Sequence, residues 1–472
     1  MTSSAAPANV LAIVVNWNKR TCLRDLLASL RRLGGAPFDI LVVDNASTDG
    51  SAEMVRNDFP EVRLHVTPRN IGGAGGFNTG MRIGLGDPKG YQFLWLLDND
   101  VVVHPGALDG LLRVMREEPK CALAGSTLLL LDDPGQVQEC GARIDWTDAR
   151  VTRIGEGPLA KLPAGARFDA DWVAACSLLA RVDAVRQVGI WDQEYFVLWD
   201  DMEWGIRMKR AGWTVRSTTE SQVRHESFQN RRVKSGLLMQ YIGLRNFFYF
   251  LRRNAPKDRL EPLLRLHLER ALNLTDNSRE AGKADQVYIA RLGLRDALRG
   301  RMGPPPPELA DAPKPRPAAG TAPPRLRRAG FMLTADPESA RAAMAVVHKR
   351  YPGLRLDTLL FTDHADVLRE RFPNRRRIFA STLVSRLKLL VRLPLQYQAT
   401  VSQSWVPRYF YEELLPYTIR VDEKGELEVR RRDLRRTARL AVGRWRNRRL
   451  AAKWTRALVN RPLPPVDYFT FR

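Results

Sequence analysis

The stretch VLAIVVNWNKRTCLRDLLASLRRLGGAPFDILVVD (residues 10–44) decides the fold. It begins with a continuous apolar run, continues through an amphipathic segment at 21–33, and ends in a second apolar run at 39–44. Two short apolar runs separated by a segment of helical period are typical of a β-α-β unit. The stretch therefore predicts a parallel sheet with helices on both faces.

The same alternation continues along the chain. Further strands are expected at 62–66 and 93–98, with a Gly-rich loop and then a helix between them. Further helices are expected at 51–58, 107–118, 200–211, 233–252 and 257–300. In open parallel sheets, ligands bind beyond the carboxyl ends of the strands. Two of the predicted strands end there in a carboxylate, at Asp44 and Asp98.

Length and a proline-rich segment predict more than one domain. A chain of 472 residues is long for a single core. Residues 304–324 begin with PPPP and are rich in Pro, Ala and Lys, which is typical of a linker. We therefore predict an α/β domain with C-terminal helices at 9–300, a linker at 301–328, and a smaller basic α/β module at 329–472. The module is expected to read strand, helix, strand from 331, with more helix after Asp363 and an Arg-rich helix at 430–456.

Composition restricts the class of partner. The net charge of +23 predicts anionic partners, namely nucleic acid, acidic lipid or phosphorylated substrates. No apolar stretch reaches the roughly 18 residues that a membrane-spanning helix needs, and the N-terminus lacks the features of a signal peptide. The four cysteines are scattered without metal-ligand spacing, so they are interpreted as small buried apolar residues in a reducing cytoplasm.

Two polar motifs follow the early strands. VVDNASTDG (42–50) places Asp44 where it can accept hydrogen bonds from a base or ribose, although a capping turn would look the same. RNIGGAGGFNTG (69–80) allows close backbone approach and leads into a helix N-terminus suited to phosphate, although it could equally be a hinge. It matches neither a P-loop nor the dinucleotide fingerprint.

Two acidic motifs point to metal and proton chemistry. In LWLLDND (94–100), Asp98 and Asp100 are close enough to share one divalent cation, and oxygen ligands favour Mg²⁺ or Mn²⁺. In FVLWDDMEWGIRMKRAGW (196–213), Asp200 and Asp201 begin a predicted helix, where acidic N-capping is the alternative interpretation. His225 follows, and a single histidine is often structural.

The combination of these motifs, in this order, resembles the inverting glycosyltransferases of the large family 2. The resemblance covers about residues 9–300 and implies a GT-A fold, which is Rossmann-like and binds nucleotide-diphospho-sugars. The residues that match the family's pattern are Asp44, Ser47, Asp49, Gly50, Asn70, Gly72, Asn78, Gly80, Asp98, Asp100, Asp200, Asp201 and His225.

The resemblance implies an activity and catalytic roles. The reaction would be a single displacement, with inversion, that moves a sugar from a nucleotide-diphosphate sugar to an acceptor hydroxyl. Asp201 would be the general base, Asp200 would orient a hydroxyl, and Glu203 would be the alternative base. Asp100 and His225 would hold Mn²⁺ or Mg²⁺.

The resemblance also implies how the donor binds. Asp98 would contact the metal or the donor ribose, and Asp44 would accept a hydrogen bond from the nucleobase. Asn70, Gly72 and Asn78 would line the nucleotide.

Within the family, the chain looks most like bacterial galactofuranosyl- and rhamnosyltransferases that build cell-envelope polysaccharide. The motif at 196–213, its distance from His225, and YIGLRNFFYF (241–250) carry this likeness. The chain departs from the polymerising enzymes at DWVAACSLL (171–179), where they carry an aromatic acceptor platform. A glycan or a lipid-linked molecule is the expected acceptor.

The basic C-terminal region suggests a location, and two other classes compete with the transferase. Residues 430–456 could contact an anionic membrane surface or form a solvated face, so we expect a cytoplasmic protein that is peripheral at the inner face of the cell membrane. A nucleotidyltransferase would also use paired Asp and Mg²⁺, but a basic Gly-rich loop near the N-terminus is missing. A nucleic-acid-binding protein would fit the charge but shows no recognisable binding motif.

Overall fold

The structure is a computed structural model of the whole chain. It describes residues 9–226, 228–280, 282–313, 326–332, 337–360, 375–377, 397–403, 415, 417–421, 427–431 and 434–469. Two compact units are present. The first contains Met1–Leu263, Gly293–Leu309 and Leu458–Arg472, and the second contains Leu264–Leu292 and Ala310–Ala457.

The first unit is built on one mixed sheet. Its strands are β1 (Val10–Asn16), β2 (Phe38–Asp44), β3 (Arg63–Val66), β4 (Phe93–Asp98), β5 (Val101–Val103), β6 (Cys121–Leu130), β7 (Gln136–Glu139), β10 (Gly157–Pro158), β11 (Arg167–Asp169), β12 (Ser177–Arg181) and β13 (Thr214–His225). The hairpin strands β8 (Ala142–Asp145) and β9 (Arg150–Arg153) form a separate small sheet.

The order of the main sheet is β10-β7-β6-β12-β4-β1-β2-β3, and β13 pairs with β5, β6 and β11. The neighbours β4, β1, β2 and β3 run parallel, as predicted, whereas β12 is antiparallel to both β4 and β6. The α/β fold class is confirmed, with a sheet that is mixed beyond its first four strands.

Helices cover both faces of this sheet. The helices that begin in the first unit are α1 (Arg20–Arg31), α2 (Ser51–Asp58), α3 (Gly72–Gly86), α4 (Ala107–Glu117), α5 (Val182–Val188), α6 (Asp200–Arg210), α7 (Phe228–Asn254) and α8 (Lys257–Glu280). One buried cluster packs around α1 and α4, and another around α3. Alternate residues of β1 divide between the two clusters, because successive side chains of a strand point to opposite faces.

The predicted Gly-rich loop is mostly helix, which corrects the sequence interpretation. Helix α3 begins at Gly72, and its glycines lie against β1. A Cβ atom on Gly80 would lie 2.3 Å from Ile13 Cγ2, and one on Gly76 would lie 2.6 Å from Val15 Cγ1. The glycines are therefore needed for close packing of the helix on the strand. The segment is helical even though glycine has a low helix propensity.

The second unit contains another sheet, of order β16-β15-β14-β17-β18-β19. Its strands are β14 (Arg328–Met332), β15 (Arg355–Leu360), β16 (Arg375–Arg377), β17 (Ala399–Gln403), β18 (Tyr417–Val421) and β19 (Leu427–Arg431). Five strands are parallel and β19 is antiparallel to β18, which is the strand order of a doubly wound sheet. The expected strand, helix, strand at its start is confirmed by β14, α10 (Pro337–Arg350) and β15.

Two long helices complete the description. Helix α9 spans Ala284–Arg299, and the Arg-rich helix α11 spans Leu434–Asn460. The helix expected after Asp363 and most of the predicted linker (314–325) lie outside the described residues. The domain boundaries at 300 and 328 stay a prediction. Among the helices that the structure describes, none combines the length and apolar character needed to cross a membrane.

Candidate active site

Polar side chains from three neighbouring strands meet at the carboxyl edge of the first sheet. Strands β1, β2 and β4 end at Asn16, Asp44 and Asp98. Asn16 Nδ2 donates to Asp44 Oδ2 at 2.9 Å, and Asn99 Nδ2 donates to Asn16 Oδ1 at 2.7 Å. Asp44 Oδ1 also accepts the Ser47 amide at 2.8 Å. Asp44 is buried and bonded on both carboxylate oxygens, so it also holds the edges of β1 and β2 together.

Sheet pairing brings His225 to the acidic turn after β4. Strand β13 ends at His225, which pairs with Val101 of β5, next to Asp100. His225 Nε2 lies 3.6 Å from Asp100 Oδ1, and His225 Nδ1 lies 3.4 Å from Gln138 Oε1. Both Asp100 and His225 are buried. Residues separated by more than 120 positions in the sequence thus share one site.

Lys19 adds a positive charge to this site. Its Nζ lies 2.7 Å from Asp100 Oδ2, and its side chain is 38% exposed whereas that of Asp100 is 5% exposed. The ammonium group offsets part of the negative charge of the acidic cluster. The Lys19 side chain is itself partly exposed at the edge of the sheet.

Cys176 lies against Asp98. Strand β12 pairs with β4 so that Ser177 is opposite Leu97, which places the preceding Cys176 beside Asp98. The Cys176 thiol donates to Asp98 Oδ2 at 3.5 Å. One ligand atom from each of Asp98, Cys176 and His225 lies within 4.8 Å of the others. Cys176 is buried in the core, as interpreted from the sequence, and its thiol also lies among potential metal ligands.

This donor set fits a divalent cation. Two donors that each lie about 2.0–2.4 Å from one metal can be at most about 5 Å apart, and the three side chains meet this limit. His225 Nδ1 donates to Gln138 Oε1, and a hydrogen bond of this kind orients a metal-ligating imidazole. Of the predicted ligands, Asp98 and His225 belong to this group, and Asp100 lies beside His225.

Asp200 and Asp201 begin α6, and Asp201 faces the same cluster. The backbone amides of Met202 and Ala175 donate to Asp201 at 2.8 and 3.3 Å. The pKa of Asp201 is raised to about 6, mainly by burial; the two backbone hydrogen bonds lower it, and the Asp98 carboxylate raises it. Burial and the neighbouring Asp201 also hold the pKa of Asp200 well above its usual range. A carboxyl with a pKa near neutrality is suited to proton transfer.

A strained loop precedes this acidic pair. Phe196, Leu198 and Trp199 have φ angles of 64°, 67° and 72°, in a region that bulky residues rarely adopt. Asn246 of α7 holds the loop, because its side-chain amide donates to the carbonyls of Tyr195, Val197 and Leu198 at 2.8, 2.9 and 3.1 Å. The RN pair of YIGLRNFFYF thus acts on the segment that positions Asp201.

The predicted nucleotide-binding residues of the second motif have defined structural contacts. Asn70 Oδ1 accepts the Gly72 amide at 2.8 Å at the start of α3, where Gly72 has φ +78° and approaches the Phe196 carbonyl. Asn78 is buried, and its amide exchanges hydrogen bonds with the Trp191 backbone, at 2.9 Å each. Asn78 therefore links α3 to the segment before α6, and its contact with the nucleotide stays a prediction.

Glu203 is paired with an arginine of its own helix. It is buried, and Arg207 donates to both of its carboxylate oxygens, with Nη2 to Oε2 at 3.0 Å. The geometry therefore favours Asp201 over Glu203 as the base.

Sequence reasoning missed three residues of the site. They are Lys19, Cys176 and Glu139, whose pKa is raised to about 7 by burial and by the nearby Asp201 carboxylate. Glu139 is on β7, and Arg153 Nε lies 3.6 Å from its Oε2. None belongs to a recognisable motif; the only available signal for Lys19 was its position just after β1, at a ligand-binding edge.

Comparison with known proteins gives the family. The model described as "Glycosyl transferase family 2" matches residues 11–136, and that described as "Glycosyl transferase family group 2" matches residues 93–237. The matched span contains all of the predicted site residues.

Three curated proteins are similar to this chain. N-acetylglucosaminyl-diphospho-decaprenol L-rhamnosyltransferase of Mycobacterium tuberculosis is 28% identical over 244 residues, which is 46% of this chain and 76% of that protein. Galactofuranosyltransferase GlfT2 of M. tuberculosis is 23% identical, covering 57% of this chain and 46% of that protein. Galactofuranosyltransferase GlfT1 of Mycolicibacterium smegmatis is 28% identical, covering 43% of this chain and 66% of that protein.

Two solved structures are more distant. GalNAc-T7 with UDP, GalNAc and Mn²⁺ is 12% identical with a TM-score of 0.39, and it covers 52% of this chain and 51% of that one. The mannosyltransferase PcManGT from Pyrobaculum calidifontis, in complex with GDP-Man and Mn²⁺, is 15% identical with a TM-score of 0.38, and it covers 63% and 78%. The matched family models and the curated relatives show that residues 11–237, which lie on the α/β sheet of the first unit, form a glycosyltransferase domain of family 2, the family for which a GT-A fold is expected.

Proposed function

We propose that this glycosyltransferase moves a sugar from a nucleotide-diphosphate sugar to an acceptor hydroxyl by a metal-dependent, inverting displacement. One observation carries the proposal: Asp98, Asp100 and His225 lie together at the carboxyl edge of the sheet, with Asp201 close enough to Asp98 for its pKa to be raised. A cation site beside a base is the arrangement that such a displacement needs.

Asp201 is the general base of the proposal. The acceptor hydroxyl oxygen attacks the anomeric carbon, its proton passes to the Asp201 carboxylate, and the bond to the nucleotide diphosphate breaks. The backbone amides of Ala175 and Met202 fix the carboxylate at the start of α6. Asp200 lies beside it, with a pKa raised by burial and by the Asp201 carboxylate, and is assigned to orienting a hydroxyl.

Asp98, Asp100 and His225 would hold Mn²⁺ or Mg²⁺ in the loaded enzyme. When bound, this cation supplies positive charge that stabilises the departing diphosphate. Gln138 orients the His225 ring, and Lys19 provides a second positive charge from the opposite side of Asp100. Both contacts support a site that accepts an anionic leaving group.

The donor nucleotide is assigned to the edge formed by β1, β2 and the start of α3. Asn70 and Gly72 shape that edge through the Asx-type turn before α3, and Asp44 closes it between β1 and β2. In this assignment Asn78 acts by holding α3 against the Trp191 backbone. The base is expected near Asp44, with the diphosphate toward Asp98.

The relatives favour a class of sugar and acceptor. Their printed names describe L-rhamnosyl and galactofuranosyl transfer, and one names a diphospho-decaprenol acceptor. We assign this chain to rhamnosyl or galactofuranosyl transfer onto a glycan or lipid-linked acceptor in cell-envelope synthesis. A lipid-linked acceptor requires the enzyme to work at a membrane surface, so we assign the protein to the inner face of the cell membrane.

Helix α11 offers a surface for that contact. Val442 and Trp445 are 68% and 57% exposed on one face, and the Arg449 guanidinium lies 3.8 Å from the Trp445 ring centroid. An exposed tryptophan beside arginines is suited to the interface of an anionic membrane. Some of the helix's charge is already balanced, because Arg446 pairs with Asp276 at 2.8 Å.

A thermal-shift panel of UDP-, dTDP- and GDP-sugars, with Mn²⁺ or with EDTA, tests the proposal. We expect one nucleotide class to raise the melting temperature in Mn²⁺ and much less in EDTA, since the cation would add positive charge that favours binding of the diphosphate. Asp100→Ala should lose the metal-dependent part of the shift.

The matched control is Asp58→Ala, which removes a carboxylate that pairs with Arg24 on the surface, outside the site. It should keep the full shift. An equal shift in Mn²⁺ and EDTA for the unmodified protein would contradict the metal assignment. A shift with nucleoside triphosphates alone would favour a nucleotidyltransferase instead.

A further inference from the structure

We propose that Cys176 is a thiolate ligand of the active-site cation. The site would then combine oxygen, nitrogen and sulphur donors and would take a transition-metal divalent cation in preference to Mg²⁺. The inference rests on the proposed metal use and adds a donor that the predicted ligand set of Asp98, Asp100 and His225 does not contain. It follows from the position of the thiol between a carboxylate and an imidazole.

The fold holds Cys176 in place on both sides. On one side, Ser177 begins β12, pairs with Leu97, and accepts a hydrogen bond from Trp95 Nε1 at 3.0 Å. On the other side, the Ala175 amide donates to Asp201 Oδ2 at 3.3 Å. The residue between these two anchors is 6% exposed and cannot move far from Asp98 without breaking them.

The other cysteines have different surroundings. Cys121 donates to the Leu123 carbonyl at 3.3 Å within β6, and Cys140 lies 3.1 Å from Thr127 Oγ1. Cys22 is half-buried on α1. Over the part of the chain that the structure describes, only Asp98, Cys176 and His225 form a group of three potential metal ligands within 4.8 Å.

Sulphur changes which cation the site prefers. Carboxylate and water oxygens suit Mg²⁺, whereas thiolate and imidazole favour softer ions such as Co²⁺, Zn²⁺ and Cd²⁺, with Mn²⁺ between these extremes. When the cation binds, the Cys176 thiol loses its proton to solvent and its sulphur lone pair coordinates the metal. No oxidant or other reactant is needed.

Spectroscopic titration of the full-length protein with Co²⁺ tests the proposal. A cobalt–thiolate bond absorbs in the near ultraviolet, and oxygen and nitrogen ligands alone do not produce that band. We expect the band in the unmodified protein and in Cys22→Ser, which removes a nearby thiol that lies outside the three-residue group. Cys176→Ser should lack it.

Calorimetry adds a measure of preference. Cys176→Ser should weaken Cd²⁺ binding by at least about tenfold while changing Mg²⁺ binding much less, since only the soft ion gains from sulphur. Co²⁺ binding without a thiolate band in the unmodified protein, or an unchanged band in Cys176→Ser, would overturn the Cys176 assignment and leave the proposed metal site standing. Absence of any Co²⁺, Mn²⁺ or Mg²⁺ binding with donor present would overturn both.

Discussion

At the scale of single residues, two opposing effects of the surroundings set the pKa of Asp201. Burial and the Asp98 carboxylate raise its pKa to about 6, while two backbone amides stabilise its charged form. The balance leaves a carboxylate that is ionised at neutral pH and still basic enough to take a proton from a hydroxyl.

Asp201→Asn removes the proposed base but keeps the shape of the side chain. Transfer should fall by at least about 10²-fold, because a positioned base contributes about 10²–10⁴ in rate. Donor binding should be nearly unchanged, since Asp201 is assigned to the acceptor. Steady-state kinetics and calorimetry with the donor measure the two quantities.

The control for this prediction is Asp169→Asn, which alters a half-exposed carboxylate paired with Arg216 and Lys209, away from the cluster. It should transfer at close to the normal rate. If Asp201→Asn also transfers normally, Asp201 is not the base.

At the scale of elements, α3 shows how glycine serves packing. Gly76, Gly80 and Gly84 recur every four residues and face Val15, Ile13 and Leu11 of β1. The same spacing in the sequence is compatible with a loop or with a helix. The segment is helical because the glycine face packs against the nearby sheet. The helix in turn sets the position of Gly72 against the loop before Asp200.

Gly80→Ala should lower the free energy of unfolding by about 1–3 kcal/mol, because its Cβ would lie 2.3 Å from Ile13 Cγ2 in a closely packed layer. Gly86→Ala is the matched control on the same helix, since a Cβ there meets nothing within 4 Å. It should be neutral or stabilising by up to about 1 kcal/mol. Urea denaturation measures both; equal effects of the two changes would refute this account of α3.

The loop at 195–199 is a second element whose form depends on a distant helix. Three residues with positive φ cost of order 1–3 kcal/mol each. Asn246 offsets part of this cost by donating to three loop carbonyls. The loop leads directly into Asp200 and Asp201, so its geometry sets the position of the proposed base.

Asn246→Asp replaces the donating amide by a carboxylate that faces three carbonyl oxygens. We expect the loop to relax and the transfer rate constant to fall by about 10²-fold, since displacement of a catalytic group by about 1 Å has effects of this size. Kinetics with saturating donor provide the measurement.

Asn254→Asp is the control on the same helix. Its side chain accepts from Arg210 and donates to the Phe250 carbonyl, so the change removes a hydrogen bond within α7 that does not involve the loop. Similar losses in both variants would indicate a general effect on α7 rather than on the loop.

At the scale of the whole molecule, the net charge is +23, and some of the basic residues are paired with acidic residues whereas others are exposed. Several arginines of α11 pair with acidic residues of α8, such as Arg448 with Glu269 at 3.0 Å and Arg439 with Glu280 at 3.3 Å. The exposed face of α11 around Trp445 keeps both apolar and basic groups. We therefore propose that this face of α11, rather than the overall positive charge of the protein, contacts the membrane.

The full-length protein should float with vesicles that contain anionic lipid and not with neutral vesicles, and added salt should weaken the binding. Replacing both Val442 and Trp445 by Ala should reduce binding by at least about tenfold, because each large apolar side chain contributes about 1.5–3 kcal/mol when buried. Trp17→Ala is the control, since Trp17 is 49% exposed outside α11. Flotation that ignores lipid charge, or that the double change leaves intact, would rule out this surface.

The sequence by itself determined the β-α-β order and most element positions. It also singled out Asp98, Asp100, Asp201 and His225 as candidate site residues. Periodicity is a local property, and a carboxylate that follows an apolar run must lie at the end of a strand. The same local reasoning assigned the wrong form to the glycines of α3, since their helix depends on contact with β1.

Only the tertiary structure decided which further groups join those residues. Cys176 meets Asp98 through the register of β12 on β4, Lys19 meets Asp100 through the parallel alignment of β1 and β4, and Asn246 meets the loop before Asp200 through the packing of α7. Each contact joins segments distant in the chain. Local sequence cannot specify them, because strand register and helix docking are set by the packing of the whole core.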